Sequence, residues 1–135
     1  MDNTPIDEVL RLHVFIEEWL SGGDIDDGGW HDFEAALADE FTIVSPAGET
    51  VGRADLLAGF RAARGVMPDV TIDIRNASLV READGLAIVR YEEWQLHPAL
   101  ANQRVSTAVF VAAPDSPLGW SWFTLHETAI SETSA

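Results

Sequence analysis

Three stretches hold the side chains best able to do chemistry: Tyr91-Glu92-Glu93-Trp94, the run from Arg104 to Ser106, and Trp122-Phe-Thr-Leu-His126. A histidine titrates near neutral pH, so His126 can serve as a general base or hold a ligand; it can equally be a core or subunit-interface histidine bonded to a neighbour. Alternation along a strand sends Glu92 and Trp94 to one face and Tyr91 and Glu93 to the other. One carboxylate therefore points inward whichever way the strand lies. A half-buried carboxylate is costly unless paired, and Arg90 and Arg104 are the partners at hand. Inside a fold such a pair can fix a polar ligand or tune a catalytic pKa; on an outer face it is a cross-strand ion pair. The candidates for catalysis are His126, Glu92 and Tyr91.

Other chemistries are excluded by residues the chain lacks. It has no cysteine and no lysine, which removes thiolate sites, disulfides, Schiff bases and the P-loop lysine. There is no Gly-x-Ser-x-Gly elbow, Gly-x-Gly-x-x-Gly loop or His-Glu-x-x-His pair. Asp24-Ile-Asp26-Asp-Gly28 begins like a calcium loop, but the closing glutamate would fall on Ala35, so this turn reads as a helix cap. His13, His31 and His97 have no metal-type spacing. Neither a metal nor a cofactor is expected. The formal charge of −15 opposes binding to nucleic acid or anionic membranes. No apolar run approaches the roughly 20 residues of a membrane span, and the acidic start lacks signal-peptide features. The expectation is a cytoplasmic protein.

The elements that must position these residues follow from periodicity. Thr4-Pro5 opens a first helix with apolar residues at helical spacing, and Gly22-Gly23 ends it. A second helix is predicted over about 29–38, with Trp30 inward or shielding a pocket mouth, and a third over 53–64. Strands are predicted at 41–45 and 49–52. After residue 70 the period becomes two, giving a meander with turns at Glu82–Gly85 and Pro114–Gly119, a last strand over 120–130 and a polar tail over 131–135. His126 falls on one face with Trp120, Trp122 and Thr124. Helices ahead of a mainly antiparallel, strongly curved sheet make an α+β fold, one domain over 1–135, with a pocket on the concave face.

The order of these elements resembles the nuclear transport factor 2-like superfamily. Phe41-Thr-Ile-Val-Ser-Pro-Ala-Gly48 followed by Gly52-Arg53-Ala-Asp55-Leu56 is similar to its strand, turn, Gly-Arg/Lys, helix segment. Trp122-Phe-Thr-Leu-His126-Glu-Thr128 is similar to the closing strand of its branch of SnoaL-like proteins and calcium/calmodulin kinase II association domains. The resemblance implies three helices on a cone-shaped half-barrel, homodimers through the outer sheet face, and a pocket at the wide end. It does not imply one function. Isomerase members use an Asp base with a Tyr/Asp pair, for which Tyr91 and Asp73 are the nearest matches. Epoxide-hydrolase members use an Asp–Arg–Asp set, of which Arg104 and Asp73 would be part. The pocket is expected to take a small, partly apolar molecule between Phe15, Trp19, Phe41, Trp94 and Trp122, with Glu92, Arg104, Ser106 and His126 supplying polarity. An isomerase-, cyclase- or hydratase-like enzyme using this site and a non-catalytic association module are the alternatives.

Overall fold

The computed structural model describes residues 4–98 and 101–130; the tail expected at 131–135 lies outside them. In chain order the elements are α1 (Pro5–Ser21), α2 (Asp27–Ala36), β1 (Leu37–Val44), β2 (Thr50–Gly52), α3 (Arg53–Ala62), β3 (Thr71–Ala83), β4 (Leu86–Leu96), β5 (Asn102–Ala112) and β6 (Trp120–Ala129). Thr4 and Asp7 form a reciprocal capping box at the start of α1, and Gly22 closes it in the left-handed region that its missing Cβ permits. Asp26 caps α2 by accepting from the Gly29 amide at 2.8 Å, so the acidic turn is a helix cap as read.

Helix α2 passes into β1 with no intervening loop, and the strand begins at Leu37 rather than at the alternating stretch from Phe41. The guanidinium of Arg53 makes this joint possible. It donates to the carbonyls of Glu34 (2.7 Å) and Leu37 (3.2 Å) at the abrupt helix end, where the Leu37 amide also donates to Glu34.

The sheet runs β2-β1-β6-β5-β4-β3 and is open. Strands β3 to β6 form the expected antiparallel meander, but β1 lies parallel to β6, so the sheet is mixed. The β3–β4 turn places Asp84 and Gly85 at positive φ, the backbone that a tight hairpin requires. Register shifts interrupt β1–β6, β3–β4 and β5–β6; Asn76, at φ 55°, sits at one of them. Such bulges bend and twist strands, and they turn the sheet over the helices.

The core lies between α1 and the concave sheet face. Val9, Leu12, Ile16 and Leu20 pack over Val89, Ala108, Phe110 and Trp122, all buried. Burial of each large apolar side chain is worth about 1.5–3 kcal/mol. Polar ties fix the helix in place. The Trp122 indole donates to Glu8 (2.8 Å), itself held by Arg11 through two 2.9 Å bonds, and Glu17 accepts from the Ile72 amide at 2.7 Å. No helix among the described residues is long and apolar enough to cross a membrane.

Candidate functional site

A cavity of about 210 Å³ opens between α1 and the concave sheet. Its walls are apolar: Leu12, Ile16 and Leu20 from α1, Phe33 from α2, Leu37, Phe41 and Ile43 from β1, Leu56 and Phe60 from α3, and Trp122 and Leu125 from β6. One end is polar, made by His13, Glu93, Gln95, Arg104 and Glu127.

Strand pleating assembles that polar end. Tyr91, Glu93 and Gln95 share the inward face of β4; Tyr91 pairs across with Ser106 and Glu93 with Arg104 on β5, and Ser106 pairs with Glu127 on β6. His13 comes down from the helix one turn after Val9.

The hydrogen bonds fix the charge state of His13. Its Nδ1 lies 2.7 Å from the Val9 carbonyl and its Nε2 lies 3.1 Å from Glu93 Oε1. Facing two acceptors, the ring needs both protons, so it is an imidazolium against a carboxylate. Burial alone would lower the His13 pKa, but the field and hydrogen bond of Glu93 outweigh it and the pKa is raised. Burial alone would raise that of Glu93; His13, with the 2.6 Å bond from Gln95, holds it down at about 2. Glu127 is different. Burial pushes its pKa up, the Arg104 guanidinium at 3.1 Å offsets part of this, and nearby Glu93 adds to the rise, leaving it raised. The Tyr91 phenol is pushed well above its usual value by burial and then by Glu93 and Glu127.

Arg104 Nε is buried with no hydrogen-bond partner among the described residues, and the Tyr91 hydroxyl has only the cross-strand Ser106 hydroxyl beside it. The other Arg104 nitrogens are engaged, Nη1 with Glu127 and Nη2 with Asn102 at 2.5 Å.

Several expected site residues lie elsewhere. Glu92 and Trp94 are on the opposite, convex face. There Arg75 covers the Trp94 ring at 4.1 Å, and the Trp94 indole (3.0 Å) and Asn76 (2.9 Å) donate to Glu92, lowering its pKa. Asp73 also faces Arg75, at 2.7 Å, and takes no part in the cavity. His126 is exposed and does not share the Trp122 face. The cause is a bulge in β6: Phe110 pairs with Trp122 but Val109 with Thr124, so Phe123 is an extra residue and the alternation reverses after it. Leu125 and Glu127 therefore point inward. Phe15 and Trp19 stack with Trp30 behind Phe33, the one member of that aromatic group that lines the cavity, and Trp30 is buried in the stack rather than shielding a mouth.

Phe41, Arg104 and Trp122 do line the cavity, while Ser106 and Tyr91 are buried behind its polar end. Sequence reasoning passed over His13 and Glu127 and left Glu93 as one of two parities. A signal existed for two of these. The set Ala87, Val89, Tyr91, Glu93 is more apolar than Ile88, Arg90, Glu92, Trp94, and His13 falls on the α1 stripe with Val9, Ile16 and Leu20.

Comparison with known proteins gives the chain's relatives. The family model described as SnoaL-like domain matches residues 16–115. An NTF2-like protein of unknown function from Pseudomonas aeruginosa is 30% identical, with 92% of this chain and 96% of that one covered and a TM-score of 0.83. The CaMKII hub of S. rosetta superposes with a TM-score of 0.72 at 16% identity, over 96% of this chain and 100% of that one. A protein of unknown function with a cystatin-like fold from Nostoc punctiforme does so with a TM-score of 0.65 at 13% identity, over 99% and 98%. No curated protein sequence matches the chain.

Proposed function

The chain belongs to the family of SnoaL-like domains, and from that premise we propose that it binds one small, mostly apolar molecule in the cavity beneath α1. The observation that carries this reading is an otherwise apolar cavity closed at one end by a cluster of charged and polar side chains, His13, Glu93, Gln95, Arg104 and Glu127. Apolar walls with a few convergent polar groups are the usual make-up of a small-molecule site. The volume suits a ligand of roughly ten non-hydrogen atoms at protein packing density. Thermal-shift measurement against small cyclic and aromatic ketones, amides and alcohols is the test. Stabilisation of the native chain by at least one compound, lost when Leu125→Trp fills the cavity, is the expected result; a panel without effect sinks the reading.

One observation favours a catalytic version of the same site. Glu127 lines the cavity with a raised pKa, the direction in which a carboxylate becomes a better base. Deuterium exchange at the carbon next to the carbonyl of a bound ketone, fast with the native protein and slow with Glu127→Gln, is the expected behaviour of an isomerase- or hydratase-like enzyme. Homodimerisation through the convex sheet face is part of the proposal. It is supported by the half-exposed Ile88, Val105 and Val109 on that face and by the likeness to a hub protein.

A further inference from the structure

We infer that the ligand of this cavity is uncharged and ends in adjacent hydrogen-bond acceptor and donor atoms, as in a carboxamide or lactam, the acceptor meeting the Arg104 guanidinium and the donor meeting Glu127 Oε2. This rests on the proposed pocket reading and specifies its chemistry.

Charge balance is the first argument. Two cations, His13 and Arg104, and two carboxylates, Glu93 and Glu127, form the polar end, and they pair with one another at 3.1 Å in each case. An anion placed there gains Arg104 but meets Glu93 and Glu127; a cation meets the reverse. Neither recovers its desolvation cost from a set that already sums to zero. The overall charge of −15 adds to the cost for an anion.

Hydrogen-bond capacity is the second. Both ring nitrogens of His13 are engaged, as are both Glu93 oxygens, one by His13 and one by Gln95. The Gln95 oxygen accepts from Asn102. Arg104 Nη1 and Nη2 hold Glu127 Oε1 and Asn102, and each keeps a second N–H. What is left toward the cavity includes a spare guanidinium N–H of Arg104 and a weakly used acceptor, Glu127 Oε2, whose contact with the Ser106 hydroxyl is stretched to 3.5 Å. Both residues line the cavity. A donor and an acceptor on neighbouring residues read a carbonyl and an N–H, or a carbonyl and an O–H, on one end of the ligand. The apolar walls take the rest.

The test uses four ligands of one size on the full chain at pH 7.5: benzamide, acetophenone, benzoate and benzylamine. Backbone amide shifts in 15N spectra report binding at Leu125, Glu127 and Arg104. Benzamide is expected to bind at least tenfold more tightly than benzoate or benzylamine, and several-fold more tightly than acetophenone, which keeps the acceptor but lacks the donor. Benzoate or benzylamine matching benzamide at the same residues overturns the uncharged-ligand inference while leaving the pocket reading intact. Acetophenone matching benzamide overturns the contact to Glu127. If none of the four shifts the cavity residues, the pocket reading fails and this inference falls with it.

Discussion

At the scale of single residues, the pair His13–Glu93 is the most consequential feature of the polar end. Removing the imidazolium leaves Glu93 buried without a cation, so His13→Leu is expected to cost about 3–5 kcal/mol, while His13→Leu with Glu93→Leu recovers most of it. Urea denaturation of the three proteins measures this. The pair also sets a pH window. The Glu93 pKa, near 2 when folded against an ordinary 4.5, gives stability that is complete above 4.5 and lost as pH falls toward 2. The His13 pKa is raised above 6.5, so its contribution is complete below 6.5 and lost as pH rises through the folded value. Both contributions are whole between about 4.5 and 6.5, and the alkaline decline is expected to vanish in the double variant. Glu127 has the opposite sign: its raised pKa means the folded protein disfavours the carboxylate. Glu127→Gln is therefore expected to raise the melting temperature at pH 7.5 by a few degrees, as removal of a strained functional group does; a lower melting temperature contradicts it. Residue identity at the site was legible only where alternation was unbroken. Arg104, Phe41 and Trp122 could be placed inward, but nothing in the sequence near Phe123 marks a bulge, and one extra residue was enough to exchange His126 for Glu127.

At the scale of elements, the sequence carried the helix starts, the hairpin at Asp84-Gly85 and the long meander strands, because caps, turn residues and period-two alternation are local signals. It did not carry the passage from α2 into β1, since that joint has no glycine or proline and is stabilised from 16 residues away by Arg53. This gives the Gly52-Arg53 pair a structural meaning: Gly52 opens α3 and Arg53 closes α2. Arg53→Met is expected to lose about 1–2 kcal/mol, the worth of its charge-assisted hydrogen bonds to the Glu34 and Leu37 carbonyls, with ligand affinity unchanged. Calorimetry and the benzamide titration together check both halves. The β6 bulge is an element-scale device as well, because it lets one strand present Trp122 to the core and Glu127 to the cavity although the two are an odd number of residues apart.

At the scale of the whole molecule, the convex sheet face carries Glu92, Arg75 and Trp94 at one end and the apolar Ile88, Val105 and Val109 along β4 and β5, interrupted by the Arg90–Thr107 pair. If two copies meet there, Val109→Arg is expected to convert a dimer into a monomer in sedimentation at micromolar concentration while leaving the cavity's ligand response intact; a native chain that sediments as a monomer removes the dimer altogether. Parity on a strand could be read from sequence, but not which strands become neighbours. The parallel pairing of β1 with β6 joins residues about 80 positions apart, and the Trp122–Glu8 bond spans 114. That pairing has a consequence for the order in which the protein acquires its structure. The antiparallel strands β3 to β6 are each adjacent in the chain and can zip up early, whereas the β1–β2 hairpin can join the sheet only along β6. Long-range closure of this kind slows folding, so the transition state is expected to hold the meander formed and the N-terminal third still undocked. Substitutions at Val89 or Ala108 would then slow refolding, while those at Glu8 or Phe41 would act mainly on the unfolding rate.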